Sequence, residues 1–554
     1  MTKYLVTSAL PYANGPLHFG HLAGAYLPAD IFTRHQRQKG VEAKHISGSD
    51  EHGVAIMLGA QKEKVDYQTY VDRWHKEHKE LFAQYQIDFD FFGRTTAQYH
   101  YEETTRWFTK LHQEGLIETK DSQQLYCQDC KNHLPDRFVE GTCYKCKSEG
   151  ARGDECPHCG TWIEPEKLID PKCKICGSAK IEEVTVNQYY LMLSKYHRPY
   201  REWLESNKGR WRKTVYPFVD SLSKEDLHDR AISRDLDWGI DVPLPEANGK
   251  KLYVWFDAPI GYVSNLKQHL EESGSSDHYI DDWWKNSDTR TVHFIGKDNI
   301  IFHALTFPVM AMGSGFITPP YDVPANQYLN LAGKQFSKSS GNYVDAREAL
   351  DKYGVDALRY YLINIIPEVN DSSFTWEGFE ARVNNELANN IGNLVNRCLK
   401  FLDKNWPEGL PAECFSGFVE SKEGQQLQDE VREHLQFLDR VQLRKGIERV
   451  MAIGQLANNF FTECAPWGQI KEDQEAAGRS IAYTSQYILV IGILLAPYLP
   501  TLSQKIVGYF GERVDDSSRQ DIYLGELLAL KKIFSTDLKL TSKPKVLVPK
   551  VELS

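Results

Sequence analysis

The chain has 554 residues, 41% of them hydrophobic and twelve of them tryptophan, with a formal net charge of -11. This length makes three or four domains, each with room for a core, since single domains usually run about 100–200 residues. The acidic balance argues mildly against indiscriminate nucleic-acid binding, which relies on broad positive fields, so any RNA contact is expected to be local and shape-dependent. No run of about 18 apolar residues reads as a membrane span and the N-terminus lacks a charged-then-apolar secretion pattern, so the expectation is a cytoplasmic protein without membrane contact.

The first predicted element is a strand at Tyr4, Leu5, Val6 and Thr7, followed by a turn-rich stretch at 11–16 and then by His18, Phe19, Gly20 and His21. A strand, a tight turn and a helix opening on paired histidines form a seat for phosphate, because unsatisfied N–H groups and imidazole donors converge there. Gly20, lacking a side chain, would let a flat base lie against the backbone. By itself the motif is equally two ordinary histidines at a helix start. Short apolar runs alternate with helical patterns up to about residue 115, as at 44–50, where a strand ends in a small-residue loop carrying Asp50. That is the rhythm of a parallel sheet.

A cysteine-rich stretch then interrupts it. Eight of the eleven cysteines form four Cys-x-x-Cys pairs, Cys127/Cys130, Cys143/Cys146, Cys156/Cys159 and Cys173/Cys176. Without a secretion signal, two tetrahedral structural zinc sites are the economical reading. The pairs can combine sequentially or in nested fashion; the inner two are close enough to form one knuckle, leaving the outer two to meet across it. Cys398, Cys414 and Cys464 read as ordinary thiols.

Strand signals return at 251–257 and 291–297, so the first fold is split by an insertion. Ligands of such an open sheet bind beyond the carboxyl ends of its strands, where Asp50, residues 257–262 and Lys297 fall. Downstream, residues 333–342 form a glycine-bounded loop with Lys334, Ser337, Lys338, Ser339 and Ser340, suited to wrapping polyphosphate. From about residue 380 the pattern is long and helical, with helices expected over 384–402 and 441–463 in a bundle. Asn389, Asn393 and Arg397 are spaced by four and share one helix face, and Trp467 follows Pro466 at a helix end. Without further information these residues read as a solvated stripe. The final stretch, 541–554, is too short for a domain and is expected to pack back on the body.

His18-Phe19-Gly20-His21 and the 335–339 segment resemble the HIGH and KMSKS signatures of class I aminoacyl-tRNA synthetases. The surrounding residues, from 9–15 to 548–552, are similar to the methionyl-tRNA synthetase family. Two signature positions depart from the pattern: Gln335 replaces the first lysine, with Lys334 beside it, and Ser340 stands where arginine is frequent. The resemblance implies an α/β fold: a Rossmann-type parallel-sheet catalytic domain (1–115 and 231–328) split by a connective insertion with two zinc knuckles (116–230). A domain of the signature loop and stem contacts (329–383), an all-α anticodon-binding bundle (384–535) and a tail (536–554) follow.

It further implies ATP-dependent, AMP-forming activation of L-methionine and its transfer to tRNA(Met), with Mg2+ accompanying ATP. His18, His21 and Lys338 are the expected catalytic residues, and Gly20, Lys297, Ser337 and Ser339 join them around ATP. Methionine is expected among Leu10, Tyr12, Trp255, Ala258, Pro259, Tyr262 and His303, with Asp50 on the ammonium and Arg234 orienting Asp50. Asn299, where isoleucine is common, is left out of that set. The nested zinc pairing is also what the resemblance implies, and Asn389, Asn393, Arg397, Pro466 and Trp467 become readers of the anticodon. Because the family often adds a C-terminal dimerising domain and this sequence stops at 554, a monomer is expected. A leucine, isoleucine or valine enzyme would carry a large editing insertion, for which there is no room. A zinc-bearing RNA scaffold would not explain His18, His21 and Lys338 together.

Overall fold

The computed structural model describes residues 2–135, 138–153, 156–159, 163–275, 278–334, 343–511 and 538–553. Gln335, Ser337, Lys338, Ser339 and Ser340 lie outside the described residues. The strands that organise the molecule are β1 (Lys3–Ser8), β2 (Ala43–Ser49), β3 (Phe91–Arg94), β4 (Ile117–Cys127), β5 (Ile181–Leu191), β6 (Thr289–Gly296) and β7 (Ala325–Asn326).

Five of them form one parallel sheet in the order β7-β6-β1-β2-β3. Leu5, Val6, Ile46, Phe294 and Ile295 are fully buried, as a sheet covered on both faces requires. The helix α1 (Leu27–Gln38) crosses from β1 to β2, and α2 (Ile260–Glu272) packs on β2 and β3. The chain runs from β1 outward to β2 and β3, then returns to build β6 and β7 on the other side. Strand order therefore reverses at β1, and the crevice beyond the ends of β1 and β6 is the place where such sheets take ligands.

The insertion is a long antiparallel hairpin. β4 and β5 pair in unbroken register from Ile117 opposite Leu191 to Cys127 opposite Ile181. Beyond its tip a small sheet joins Ala151–Arg152, Val139–Thr142 and Ile169–Cys173. After the hairpin, the helices His197–Ser206 and Tyr216–Leu222 share a core with the parallel sheet: Tyr200, Leu204 and Val219 are buried with Leu5, Ile46 and Ile295.

The remainder is helical: α3 (Val355–Asn364), α4 (Asn393–Asn405), α5 (Lys422–Asp439), α6 (Leu443–Cys464), α7 (Gln474–Leu495) and α8 (Pro500–Gly508). By length and composition α7, 22 residues long, would pass as a membrane span, but it lies inside the protein. The physical reason is its place at the centre of the bundle, where 89% of its most apolar window is buried against neighbouring helices. A helix surrounded on all sides is apolar all round. The tail returns across the bundle: Leu538 bridges Leu410, and Asn384 exchanges two 2.8 Å hydrogen bonds with the backbone of Val551.

Candidate active site

His18 and His21 sit at the start of helical turns just beyond β1. The Gly20 N–H donates to His18 Nδ1 and the His18 N–H to His21 Nδ1, both at 3.1 Å, a reciprocal cap of the first turn. A ring nitrogen that accepts an N–H carries no proton, so both neutral imidazoles are protonated at Nε2, the nitrogen outside the cap. The rings lie 3.8 Å apart, centroid to centroid. Burial pushes His18 down to about 4. His21 is exposed to solvent; desolvation by neighbouring protein atoms, with the His18 and His78 charges, lowers it from the ordinary imidazole value. The hydrogen bonds alone fix the neutral form.

At Gly20, a Cβ would stand 2.9 Å from His18 Cε1 and 3.0 Å from His18 Nδ1. The nearest need for glycine is therefore the capping ring itself. The same Cβ would lie 3.4 Å from the Leu329 carbonyl, and the Phe19 and Phe374 rings are 4.8 Å apart. Leu329–Leu331 pairs in parallel with Ser372–Phe374, and the Gly333 N–H donates to Ser373 Oγ at 2.8 Å. The base of the 335–342 segment thus packs directly on the histidine turn, although 300 residues separate them in sequence.

Several residues expected to hold methionine come together beyond β1 and β2. Tyr12, past the end of β1, and Asp50, next after β2, form an isolated parallel bridge, closed by Asp50 N–H to Pro11 O at 2.9 Å and Ala13 N–H to Asp50 O at 2.8 Å. Trp255 lies flat on Phe302, with ring centroids 4.0 Å apart and planes 2° apart, and meets Tyr12 edge-on at 6.2 Å. Tyr262 is 1% exposed, and its hydroxyl lies 2.7 Å from His303 Nε2. Because His303 Nδ1 lies 3.0 Å from the Asn299 carbonyl, which can only accept, Nδ1 carries the proton and Nε2 accepts from Tyr262. Asn299 serves here through its backbone, so its unusual side chain does not disturb this link. Leu10 packs over Gly261, where a Cβ would come within 2.9 Å of it. Ala258 and Pro259 are buried in the bend before α2. Arg234 donates to the Ala231 and Ser233 carbonyls at 3.0 and 2.9 Å and stacks over Tyr253.

Lys297 follows β6 and is engaged: its ammonium donates to Asp371 Oδ1 at 3.0 Å and lies over the Tyr328 ring at 3.8 Å. Phe302 and Tyr328 were not distinguishable in the sequence as partners of Trp255 and Lys297. One local signal accompanies the site residues. Of the four π-helical stretches among the described residues, Leu22–Tyr26 follows His21, Phe302–Thr306 contains His303, and Val383–Gly392 contains Asn389. Such wide turns are frequent at functional positions.

The cysteines collect in nested fashion, the outer set being Cys127, Cys130, Cys173 and Cys176 and the inner set Cys143, Cys146, Cys156 and Cys159. The hairpin explains this, since pairing Cys127 with Ile181 carries the outer pairs to one tip. Within the sets, sulfur–sulfur distances are 3.6 Å (Cys127–Cys176, Cys130–Cys173, Cys146–Cys156) and 3.9 Å (Cys143–Cys159). Four thiolates bound tetrahedrally at a zinc–sulfur length of about 2.3 Å would have edges of about 3.8 Å. Both sets can therefore hold a metal ion and fit zinc, and none of the eight is in a disulfide.

On the bundle, Asn389, Asn393 and Arg397 are all exposed, the last two on α4. The Arg397 guanidinium sits 5.7 Å from the Trp467 ring and 5.1 Å from Phe461. Trp467 is 44% exposed, high for a tryptophan. Pro466 is buried and opens the short helix Pro466–Gln469, so its contribution is to aim Trp467 outward. Asn390, between the exposed residues, is turned inward and ties this helix to α6 through Met451 O and Asn458.

Comparison with known proteins adds a second line of evidence. A profile described as "tRNA synthetases class I (M)" matches residues 4–399, and one described as "Anticodon binding domain of methionyl tRNA ligase" matches residues 410–537. The methionine–tRNA ligase of Rubrobacter xylanophilus is 40% identical over 542 residues, covering 93% of this chain and 91% of that protein. That of Pyrococcus abyssi is 41% identical over 91% of this chain and 71% of its own length. The solved Mycobacterium tuberculosis methionyl-tRNA synthetase in complex with methionyl-adenylate superposes with a TM-score of 0.79 at 23% identity, covering 99% of this chain and all of that one. This last likeness is one of fold.

Proposed function

The chain belongs to the methionyl-tRNA synthetase family of class I, and from that membership we propose that it joins L-methionine to tRNA(Met) in two steps. In the first, the methionine carboxylate attacks the α-phosphate of ATP, forming methionyl-adenylate and releasing pyrophosphate. In the second, the terminal ribose hydroxyl of the tRNA takes the methionyl group and AMP leaves. Little covalent chemistry is asked of the protein; orientation and stabilisation of developing charge do the work.

The Nε2–H groups of His18 and His21 are neutral donors to the phosphate oxygens, charged at no pH near 7. Lys338, with Ser337 and Ser339, closes over the departing pyrophosphate, and Lys297 reaches the nucleotide once it leaves Asp371. Magnesium accompanies the ATP and neutralises phosphate charge. Methionine lies between Trp255, Tyr12, Leu10 and Tyr262, with its thioether against aromatic faces and its ammonium on Asp50. Zinc, held by the two nested cysteine sets, stabilises the insertion rather than the reaction, because four thiolates close each coordination shell. Asn389, Asn393, Arg397 and Trp467 hold unstacked anticodon bases, by amide and guanidinium hydrogen bonds and by stacking. The substrates place the enzyme in the cytoplasm.

One observation carries the reading: the histidine turn and the base of the lysine-bearing loop are in contact at the switch point of the sheet. The test is exchange of labelled pyrophosphate into ATP with each of the twenty amino acids. Methionine alone is expected to support it, and exchange with another amino acid, or with none, overturns the assignment.

A further inference from the structure

Asp50 and the aromatic wall of the pocket come from segments two hundred residues apart, and one buried pair joins them. His52 Nδ1 lies 2.8 Å from Asp257 Oδ2, and each side chain is 1% exposed. The His52 main-chain N–H points to Asp50 Oδ1 at 3.5 Å. Asp257 ends the short helix Val254–Asp257, which carries Trp255, and leads through Ala258 and Pro259 into α2 with Tyr262. A second contact reinforces the first: Gly53, at φ 89°, lies so close to Val254 that a Cβ would stand 3.4 Å from the Val254 Cβ.

The surroundings fix the pair further. His52 Nε2 is 3.2 Å from the Tyr101 hydroxyl, and the ring meets Trp238 at 6.0 Å. His100 Nε2 is 3.6 Å from the same carboxylate oxygen, while its Nδ1 is 2.9 Å from Ser264 Oγ on α2. The other Asp257 oxygen, Oδ1, is buried with no hydrogen-bond partner among the described residues. A buried carboxylate left half-satisfied is a cost to folding. Such costs are retained where they serve a site.

We propose that His52 and Asp257 are positioning residues for the amino-acid pocket: their hydrogen bond holds the Asp50 loop against the Trp255–Tyr262 wall and so sets the affinity for methionine. The inference rests on the proposed function. Neither residue touches the reacting atoms. The carboxylate and the aromatic face must converge on one small substrate from two chain segments, and misplacement by about 1 Å costs such sites dearly.

The test measures pyrophosphate exchange in Asp257→Ala, His52→Ala, His52→Asn and the double alanine variant, with KM for methionine and for ATP determined separately. Asparagine places an amide N–H where His52 has Nδ1. Expected are a rise of tenfold or more in methionine KM for each alanine variant, ATP KM within twofold of the parent, and His52→Asn within threefold. The double variant is expected to be no more than twofold worse than the poorer single one, since both remove the same bond. Methionine KM unchanged within twofold, a parallel rise of both KM values, or His52→Asn as impaired as His52→Ala overturns the proposal. Should Asp257→Ala fail to fold, the two His52 variants make the same comparison. If the parent proves to activate another amino acid, the functional reading falls, and the pair is then judged on the KM of that amino acid.

Discussion

Tyr262 and His303 offer the most direct quantitative check of the pocket. The Tyr262 hydroxyl donates to His303 Nε2 at 2.7 Å, and His303 cannot change tautomer without losing its Nδ1–H bond to the Asn299 carbonyl. Both side chains are 1% exposed, so no water replaces a missing partner. Tyr262→Phe keeps the ring and removes one donor, leaving a buried imidazole nitrogen unpaired; such a loss costs about 1–3 kcal/mol. His303→Leu strands the hydroxyl instead, at a similar cost. The double variant removes both polar groups, so it recovers much of that loss, with a coupling of about 0.5–3 kcal/mol. Urea unfolding midpoints report the stability part, and methionine KM in pyrophosphate exchange reports the pocket part, where about 1.4 kcal/mol corresponds to a factor of ten. Strictly additive effects of the two substitutions on both readouts would refute the assigned bond and the tautomer derived from it.

Metal analysis of the purified protein is expected to find two zinc ions per chain, and Cys127→Ser to lose one of them while leaving the inner set filled; one ion or none in the parent refutes the nested pairing. Trp467→Ala is expected to retain methionine-dependent pyrophosphate exchange while charging tRNA(Met) at least tenfold more slowly, and unchanged charging removes Trp467 from the reading face. Acid is expected to destabilise the fold early. Burial holds His45, His78 and His303 at about 4 and His434 at about 3, so as pH falls the unfolded chain takes up protons first. These groups leave stability untouched above pH 7, reduce it from about 6.5 downward, and by pH 5 contribute a loss of about 2 kcal/mol each. A urea midpoint unchanged between pH 7 and pH 5 contradicts this.

The parts of this molecule that were readable in sequence share a physical property: their partners are near in the chain or repeat a strict spacing. The histidine turn is local, its two capping bonds closing within three residues. The cysteines announce themselves by spacing, and the antiparallel register from 117 to 191 then decides which sets meet. Asn389, Asn393 and Arg397 needed only a helix to become one face. What remained hidden depends on distant partners. Nothing near Phe302 marks it as the plane beneath Trp255, and nothing near Asp257 marks it as the partner of His52. The apolar pattern of α7 likewise depends on distant partners, because its surroundings are other helices of the bundle.

Long-range bonding also decides how the two ends of the molecule work together. Arg359 is completely buried, and its guanidinium makes five hydrogen bonds: to Asp30 on α1, to the Tyr85 and Gln86 carbonyls, and to the Pro497 and Tyr498 carbonyls of the bundle. Further along α1, His35 and Lys39 reach Asp439 at the end of α5 at 2.9 and 2.6 Å, and Gln38 donates to the Ile493 carbonyl of α7. The helix that continues from His21 is therefore bonded to the bundle at three levels. A swing of the bundle about this joint would have to break these buried contacts together. On the proposed reading, the separation between the adenylate site and Trp467 is then fixed by the protein, and the tRNA has to conform to it.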